Sequence, residues 1–270
     1  MDLEKMFCEE EKPLDNLLND GGFCGIFQKI GCIGDSLSSG EFESMDAEGN
    51  KGFHDKFEYS WGQYMARATG TEVYNFSRGG MTSREYVGGW ADHWGFFDND
   101  KLCRAYIIAL GVNDVNSYAK EEKGFGSLSD IDAGNWENTN KETFVGSYAR
   151  IIQRLKQNQP KAKFFLMTMP REDADSEEYA AAKVKHREIL YKFSDMFDYT
   201  YVLDFWKYAP LYTKDFRDKF YLGGHLNPMG YMLTAKMVMS YIDYIIRHNM
   251  EDFKQVGFIG APYHNSSAKW

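Results

Sequence analysis

The chain has 270 residues, 43% of them hydrophobic, enough to bury a full core without disulfides or metals. Its formal net charge of −9 argues against nucleic acid as a partner, because phosphates need clustered Lys and Arg, and against an anionic membrane surface. The four cysteines, Cys8, Cys24, Cys32 and Cys103, form no CxxC pair, so neither a zinc site nor a disulfide framework is indicated. Cys32 and Cys103 lie in or beside apolar runs and read as small core residues.

The first residues, MDLEKMFCEEEKPLDNLLNDGG, are acidic and lack the basic-then-apolar layout of a signal peptide. No apolar stretch approaches the length of a membrane span. A soluble, cytoplasmic protein is the expectation, although a chain whose signal had been removed would read the same. Lys29–Ile33 is a short β-rich run that stops at Gly34-Asp35-Ser36-Leu37. Trp61, Tyr64, Met65 and Ala68 then recur at helical spacing. Glu72–Phe76 and Arg104–Leu110 are the next strands, the second apolar enough to be covered on both faces. Phe144, Tyr148, Ile151, Ile152 and Leu155 predict a helix that ends before Pro160. Strand Lys163–Met169, helix Glu177–Met196, strand Thr200–Phe205 and helix Pro228 to about His248 complete the series.

This alternation predicts an α/β layer fold around a mostly parallel five-stranded sheet. There is no internal repeat, low-complexity segment or Pro/Gly-rich linker, so residues 1–270 read as a single domain. Its core is expected over 28–250, with 1–27 and 251–270 as extensions packed on it. The polar stretch Asn116–Asn140 is long for a compact domain, a length often given to lids or binding loops. Its DIDAGNWENTNK segment is not a calcium loop, because Gly134 and Asn135 are in swapped order and Lys141 replaces the twelfth-position Glu. His54, His93 and His186 lack metal-ligand spacing and read as surface or packing residues. The aromatic run Trp90–Phe97 either packs under the sheet edge or lines part of a cleft.

In an open parallel sheet, chemistry collects beyond the carboxyl ends of the strands. Those ends carry Gly34-Asp35-Ser36-Leu37, Asn75 to Thr82 with the pair Gly79-Gly80, Gly111-Val112-Asn113-Asp114, and Gly223-Gly224-His225-Leu226-Asn227-Pro228. Acyl transfer needs a hydroxyl activated by a base, and a base titrating near neutrality is a histidine. Ser36 and His225 fit those two roles. The oxyanion needs preorganised donors, which the N–H groups of Ser36 and Gly80 and the Asn113 amide could supply. Asn227-Pro228 is a good helix start, so the loop carrying His225 is pinned. Each residue also has a plain structural use: Ser36 as an N-cap, Gly80 and Asn113 in turns, His225 as a loop histidine. Four blocks in order at four strand ends weigh against those uses.

These blocks resemble the SGNH (GDSL) hydrolases: GDSL at Gly34 to Leu37, Gly80 in NFSRGGMTS, GVND at Gly111 to Asp114, and GGHLNP at Gly223 to Pro228. The resemblance runs from Lys29 to the last helix. It implies a flavodoxin-like three-layer α/β/α fold and ester hydrolysis through an acyl-serine, with no cofactor. One position departs. The family usually has an aspartate three residues before the histidine to orient it, and here that residue is Leu222. A backbone carbonyl could orient the ring, or Asp215 or Asp218 could reach back.

The expected function is a serine esterase acting on a small-molecule or carbohydrate ester, with short acyl groups such as acetyl favoured by the polar loop after Asn113. An acyltransferase would use the same site. A catalytically weak, esterase-like binding protein lacking the triad acid is the alternative. A phosphate ligand at Gly34–Gly40 is disfavoured, since that loop has no Lys or Arg and Asp35 would repel it.

Overall fold

The computed structural model describes residues 6–118, 124–134 and 136–260. The first strand, β1 (Lys29–Gly34), runs into a single helical turn, α1 (Ser36–Ser39). A hairpin that the sequence pattern does not announce follows, β2 (Glu41–Met45) and β3 (Lys51–Asp55). Then come α2 (Trp61–Thr69), β4 (Glu72–Ser77), β5 (Ala105–Ala109), α3 (Val112–Tyr118), α4 (Phe144–Asn158), β6 (Lys163–Met167), α5 (Glu177–Met196) and β7 (Thr200–Leu203). Helix α6 (Lys214–Phe220), the short β8 (Tyr221–Leu222) and β9 (His225–Leu226), and α7 (Pro228–His248) close the fold.

The predicted helices start where their caps place them. Ser60, Thr143, Ser176 and Asn227 each accept a backbone N–H from the first turn of α2, α4, α5 and α7. Such caps stabilise a helix by about 1 kcal/mol each. The third strand is shorter than Arg104–Leu110, and β6 and β7 also end early. Asp204 stops β7 by capping a turn of helix, Phe205–Tyr208, through the N–H of Lys207.

The sheet order is β4-β1-β5-β6-β7, with every neighbouring pair parallel. The chain first steps from β1 to one side and then returns past it to the other. The crevice at the end of β1 is therefore the switch point where such sheets bind ligands. Gly34 pairs with both Ser77 and Ala109, so the ends of three strands lie level there. Alternate side chains feed two layers. Cys32, Ile107 and Phe165 pack with Trp61, Met65, Tyr231 and Ile242 on one face. Ile33, Ile108 and Phe164 pack with Tyr148, Ile152, Leu190 and Phe193 on the other. Each such aliphatic or aromatic side chain contributes about 1.5–3 kcal/mol of burial.

The N-terminal segment joins the first layer through buried Cys24 and Phe27, and Phe253, Val256 and Ile259 do so beyond α7. Arg247 of α7 ties down Glu11 (2.6 Å) and Asp243 (2.8 Å). The aromatic run packs in part. Phe97 and Ala91 are buried, Phe96 lies tilted against Phe76 with centroids 4.6 Å apart, and Trp94 is exposed. Only part of Asn116–Asn140 can be described, since 119–123 and 135 lie outside the described residues. What can be described holds the end of α3 and short helical turns at Leu128–Asp130 and Trp136–Thr139. Among the described residues no helix is long and apolar enough to cross a membrane.

Candidate active site

Ser36 opens α1 at the end of β1. Asp35 caps that turn, its carboxylate accepting the N–H of Leu37 (3.1 Å), and Gly40 ends it in a left-handed conformation. Burial pushes the Asp35 carboxyl up to about 7; the Leu37 N–H opposes this and the nearby Asp114 adds to it.

The next two blocks meet each other. Asn113 donates its side-chain amide to the carbonyl of Met81 (3.2 Å), next to Gly80. One N–H of that amide remains for another acceptor. Asp114, fully buried, accepts both the N–H (2.9 Å) and the hydroxyl (2.6 Å) of Ser83. So the Asn-Asp pair clamps the loop after β4 to the start of α3. Gly80 is exposed with φ +72°, and a β-carbon there would meet nothing within 4 Å. The turn asks for glycine on conformational grounds, and the space beside its backbone is open to a ligand.

His225 sits on β9, a strand packed against both α1 and β2. Its ring is held on both nitrogens by carboxylates. Nδ1 lies 3.1 Å from Glu43 Oε1 and Nε2 lies 3.1 Å from Glu41 Oε1. Both acids come from β2, where residues two apart share a face. Glu43 is well held: Gly224 donates its N–H (2.8 Å) and Lys51 its ammonium (3.1 Å). Burial would raise the Glu43 carboxyl, but those donors and His225 outweigh it and hold the group below the ordinary range. Glu41 goes the other way. Burial raises it, His225 offsets part of that, and Asp55 and Glu43 push it further up. Its second oxygen lies against Gly79, so Glu41 spans from the histidine to the turn carrying Gly80.

The hairpin is anchored to the same corner. Ser39 donates to Asp55 (2.6 Å), Lys56 N–H to Gly40 (3.0 Å), and the Tyr231 hydroxyl to the Glu41 carbonyl (2.7 Å). Phe53 of β3, 55% exposed, sets its ring edge-to-face with His225 at 5.9 Å.

The structure thus joins the Asn113 block to the Gly80 block and packs the strand of His225 against the helical turn of Ser36. The carboxylates that meet His225 are not the ones weighed from the sequence. Leu222 is exposed and lies across the small hairpin from His225. Asp215 and Asp218 are exposed on α6, paired with Lys219 and Lys214 at 2.6 Å each. Neither reaches back. Glu41 and Glu43 were missed because EFESM carries a single aromatic, Phe42, and the strand is not buried. The available signal was the alternation Glu-Phe-Glu-Ser followed by the turn residues DAEGN.

A cleft of about 500 Å³ opens beside α3, lined by Val115, Asn116, Phe125, Tyr179 and Lys185 among others.

A comparison with curated proteins finds no match. Among solved structures the chain is similar to a family two carbohydrate esterase from Clostridium thermocellum in complex with cellohexaose. The identity is 15% and the TM-score 0.55, over 83% of this chain and 65% of that longer one. It is also similar to a family 3 carbohydrate esterase of that organism, at 14% identity and TM-score 0.51, over 82% and 97% of the two chains. An acetyl xylan esterase matches at 19% identity and TM-score 0.50, over 79% and 99%. These likenesses establish the shared three-layer α/β/α fold. The sequence goes further: residues 32–233 match the GDSL-like Lipase/Acylhydrolase family. That span begins in β1, ends within α7 and takes in all four strand-end blocks, so the chain belongs to this family of ester-bond hydrolases.

Proposed function

We propose that the chain is a serine esterase that cleaves short acyl esters, acetylated carbohydrates in particular, through an acyl-serine on Ser36. His225 is the base. The N–H groups of Ser36 and Gly80, with the free amide N–H of Asn113, receive the oxyanion. The observation that carries this reading is the meeting of the four blocks at the switch point: the turn of Ser36 at the end of β1, Asn113 bonded beside Gly80, and His225 on the strand packed against α1.

The substrate part rests on chemistry around the histidine. Two carboxylates, Glu41 and Glu43, flank it, and the exposed Phe53 ring beside it offers the flat apolar face that a sugar can stack on. The carbohydrate esterases of similar fold make the same substrate class worth testing first. A second reading, a weak enzyme or binding protein, is favoured by one observation: Glu41 holds Nε2, so the ring cannot take a serine proton until that carboxyl moves aside.

Intact-mass labelling with a fluorophosphonate tests both. A single adduct on the wild type, absent from Ser36→Ala and much slowed in His225→Ala, is the expected result. No adduct on folded wild type would hand the lead to the second reading. Activity on p-nitrophenyl octanoate far above that on the acetate would overturn the short-acyl part.

A further inference from the structure

The family's usual acid is missing from the loop before His225, yet the ring is not left unsupported. We propose that Glu43, carried by the β2–β3 hairpin, is the positioning acid of this site, holding the Nδ1–H of His225 and leaving the lone pair on Nε2. This rests on the reading of His225 as base.

Three independent features support it. The first is the contact itself, Nδ1 to Oε1 at 3.1 Å, with the Glu43 side chain only 10% exposed. The second is the charge state. The carboxyl stays ionised because Gly224 N–H and Lys51 hold it, so it can only accept, and the proton between the two must sit on Nδ1. The third is the shape of the loop. A β-carbon on Gly223 would lie 2.1 Å from Glu43 Oε2, and one on Gly224 2.6 Å from Oε1. Gly223 also has φ +70°, which closes the two-residue turn between β8 and β9. The Gly-Gly pair is a cradle for this carboxylate, with the imidazole placed as the next residue in line.

The proton inventory then closes. As Ser36 Oγ bonds the acyl carbon, its proton passes to Nε2, and the imidazolium is stabilised by the Glu43 charge. As the C–O bond of the tetrahedral intermediate breaks, Nε2–H returns that proton to the departing alcohol oxygen. Water repeats the sequence to free Ser36, and Glu43 keeps its charge throughout. The charged groups against this ring are Glu41 and Glu43 on β2; from β3, Lys51 pairs with Glu43 and Asp55 acts on Glu41. Glu41 competes for Nε2 rather than orienting the ring, and substrate must displace it.

The test compares wild type with Glu43→Gln, which retains the oxygen that Gly224 needs, and with Glu43→Ala. Esterase kinetics on p-nitrophenyl acetate and the rate of fluorophosphonate labelling are followed against pH. The expected result is a fall in kcat on the order of a hundredfold or more with KM little changed, as losing an orienting acid causes elsewhere. The acid limb of kcat/KM should move down by about one pH unit or more, because the imidazolium loses its partner. A purely structural role would not move that limb. Folded variants with wild-type kcat and an unmoved limb would overturn the proposal. Wild type that never labels overturns the esterase reading instead, so the two failures are told apart.

Discussion

Two histidines serve the ends of these strands, and they are built in opposite ways. His186, on α5, is fully buried and gives one nitrogen to the Leu110 carbonyl (3.0 Å), beneath the block that carries Asn113. Burial pushes its pKa down to about 4, with the Leu110 carbonyl offsetting part of that. It is a neutral packing group against Phe144, at 5.4 Å between centroids. His225 is half-buried, set between two carboxylates on a hairpin that reaches out from the sheet. The same side chain is thus locked neutral where apolar layers cover it, and is flanked by carboxylates on both ring nitrogens where the hairpin reaches it. The difference teaches that a base is made by its neighbours, and that the neighbours here come from an insertion between β1 and β4.

Exchanging each histidine for asparagine should separate the roles most sharply. His225→Asn is expected to cost at least about a thousandfold in kcat/KM with little change in melting temperature. His186→Asn is expected to lower unfolding free energy by about 2–4 kcal/mol in urea titrations while leaving the pH–rate limbs in place. Acid should then strain the buried histidine. Its folded pKa lies below the unfolded value of 6.5, so the unfolded chain binds more protons between about 6.5 and 4. That group's share of stability is lost as pH falls through this window, about 3 kcal/mol in all, and His186→Asn should flatten that part of the urea midpoint–pH curve.

Asp35 gives the opposite slope. Its folded pKa of about 7 exceeds the ordinary 3.8, so its stabilising share is present at low pH and lost as pH rises through that interval. Asp35→Asn, which can still cap α1, should raise the melting temperature at pH 8 by a few degrees and not at pH 4. A smaller effect is expected from Leu222→Asp in the Glu43→Gln background. The site is exposed and faces His225 across the turn, so a carboxylate there should recover roughly tenfold of the lost kcat. Last, Glu41→Gln should raise kcat/KM a few-fold by weakening the competitor at Nε2, read in the same assay.

Much of this was legible in the residues because it is written locally. The helices α2, α4, α5 and α7 follow from apolar spacing and from Ser60, Thr143, Ser176 and Asn227 at their starts. The parallel sheet follows from alternation and from runs such as Tyr106-Ile107-Ile108. The hairpin was not legible. Its strands are polar on both sides, with Phe42 and Phe53 the only aromatics, and a short exposed pair gives no sustained period of two. The aromatic run Trp90–Phe97 left two readings open, and tertiary packing divides it: Ala91 and Phe97 are buried, Phe96 meets Phe76 and Tyr86, and Trp94 stays exposed.

By itself, the order of residues determined the layers of the fold and the four blocks at its strand ends, because helix caps, periodicity and turn chemistry act over a few neighbours. Only the tertiary structure decided which acid meets His225. Glu43 stands 182 positions away in the chain, and nothing local joins them. The contact exists because Ser39, Gly40 and Tyr231 pin the hairpin beside β9, and because two glycines leave room for the carboxylate.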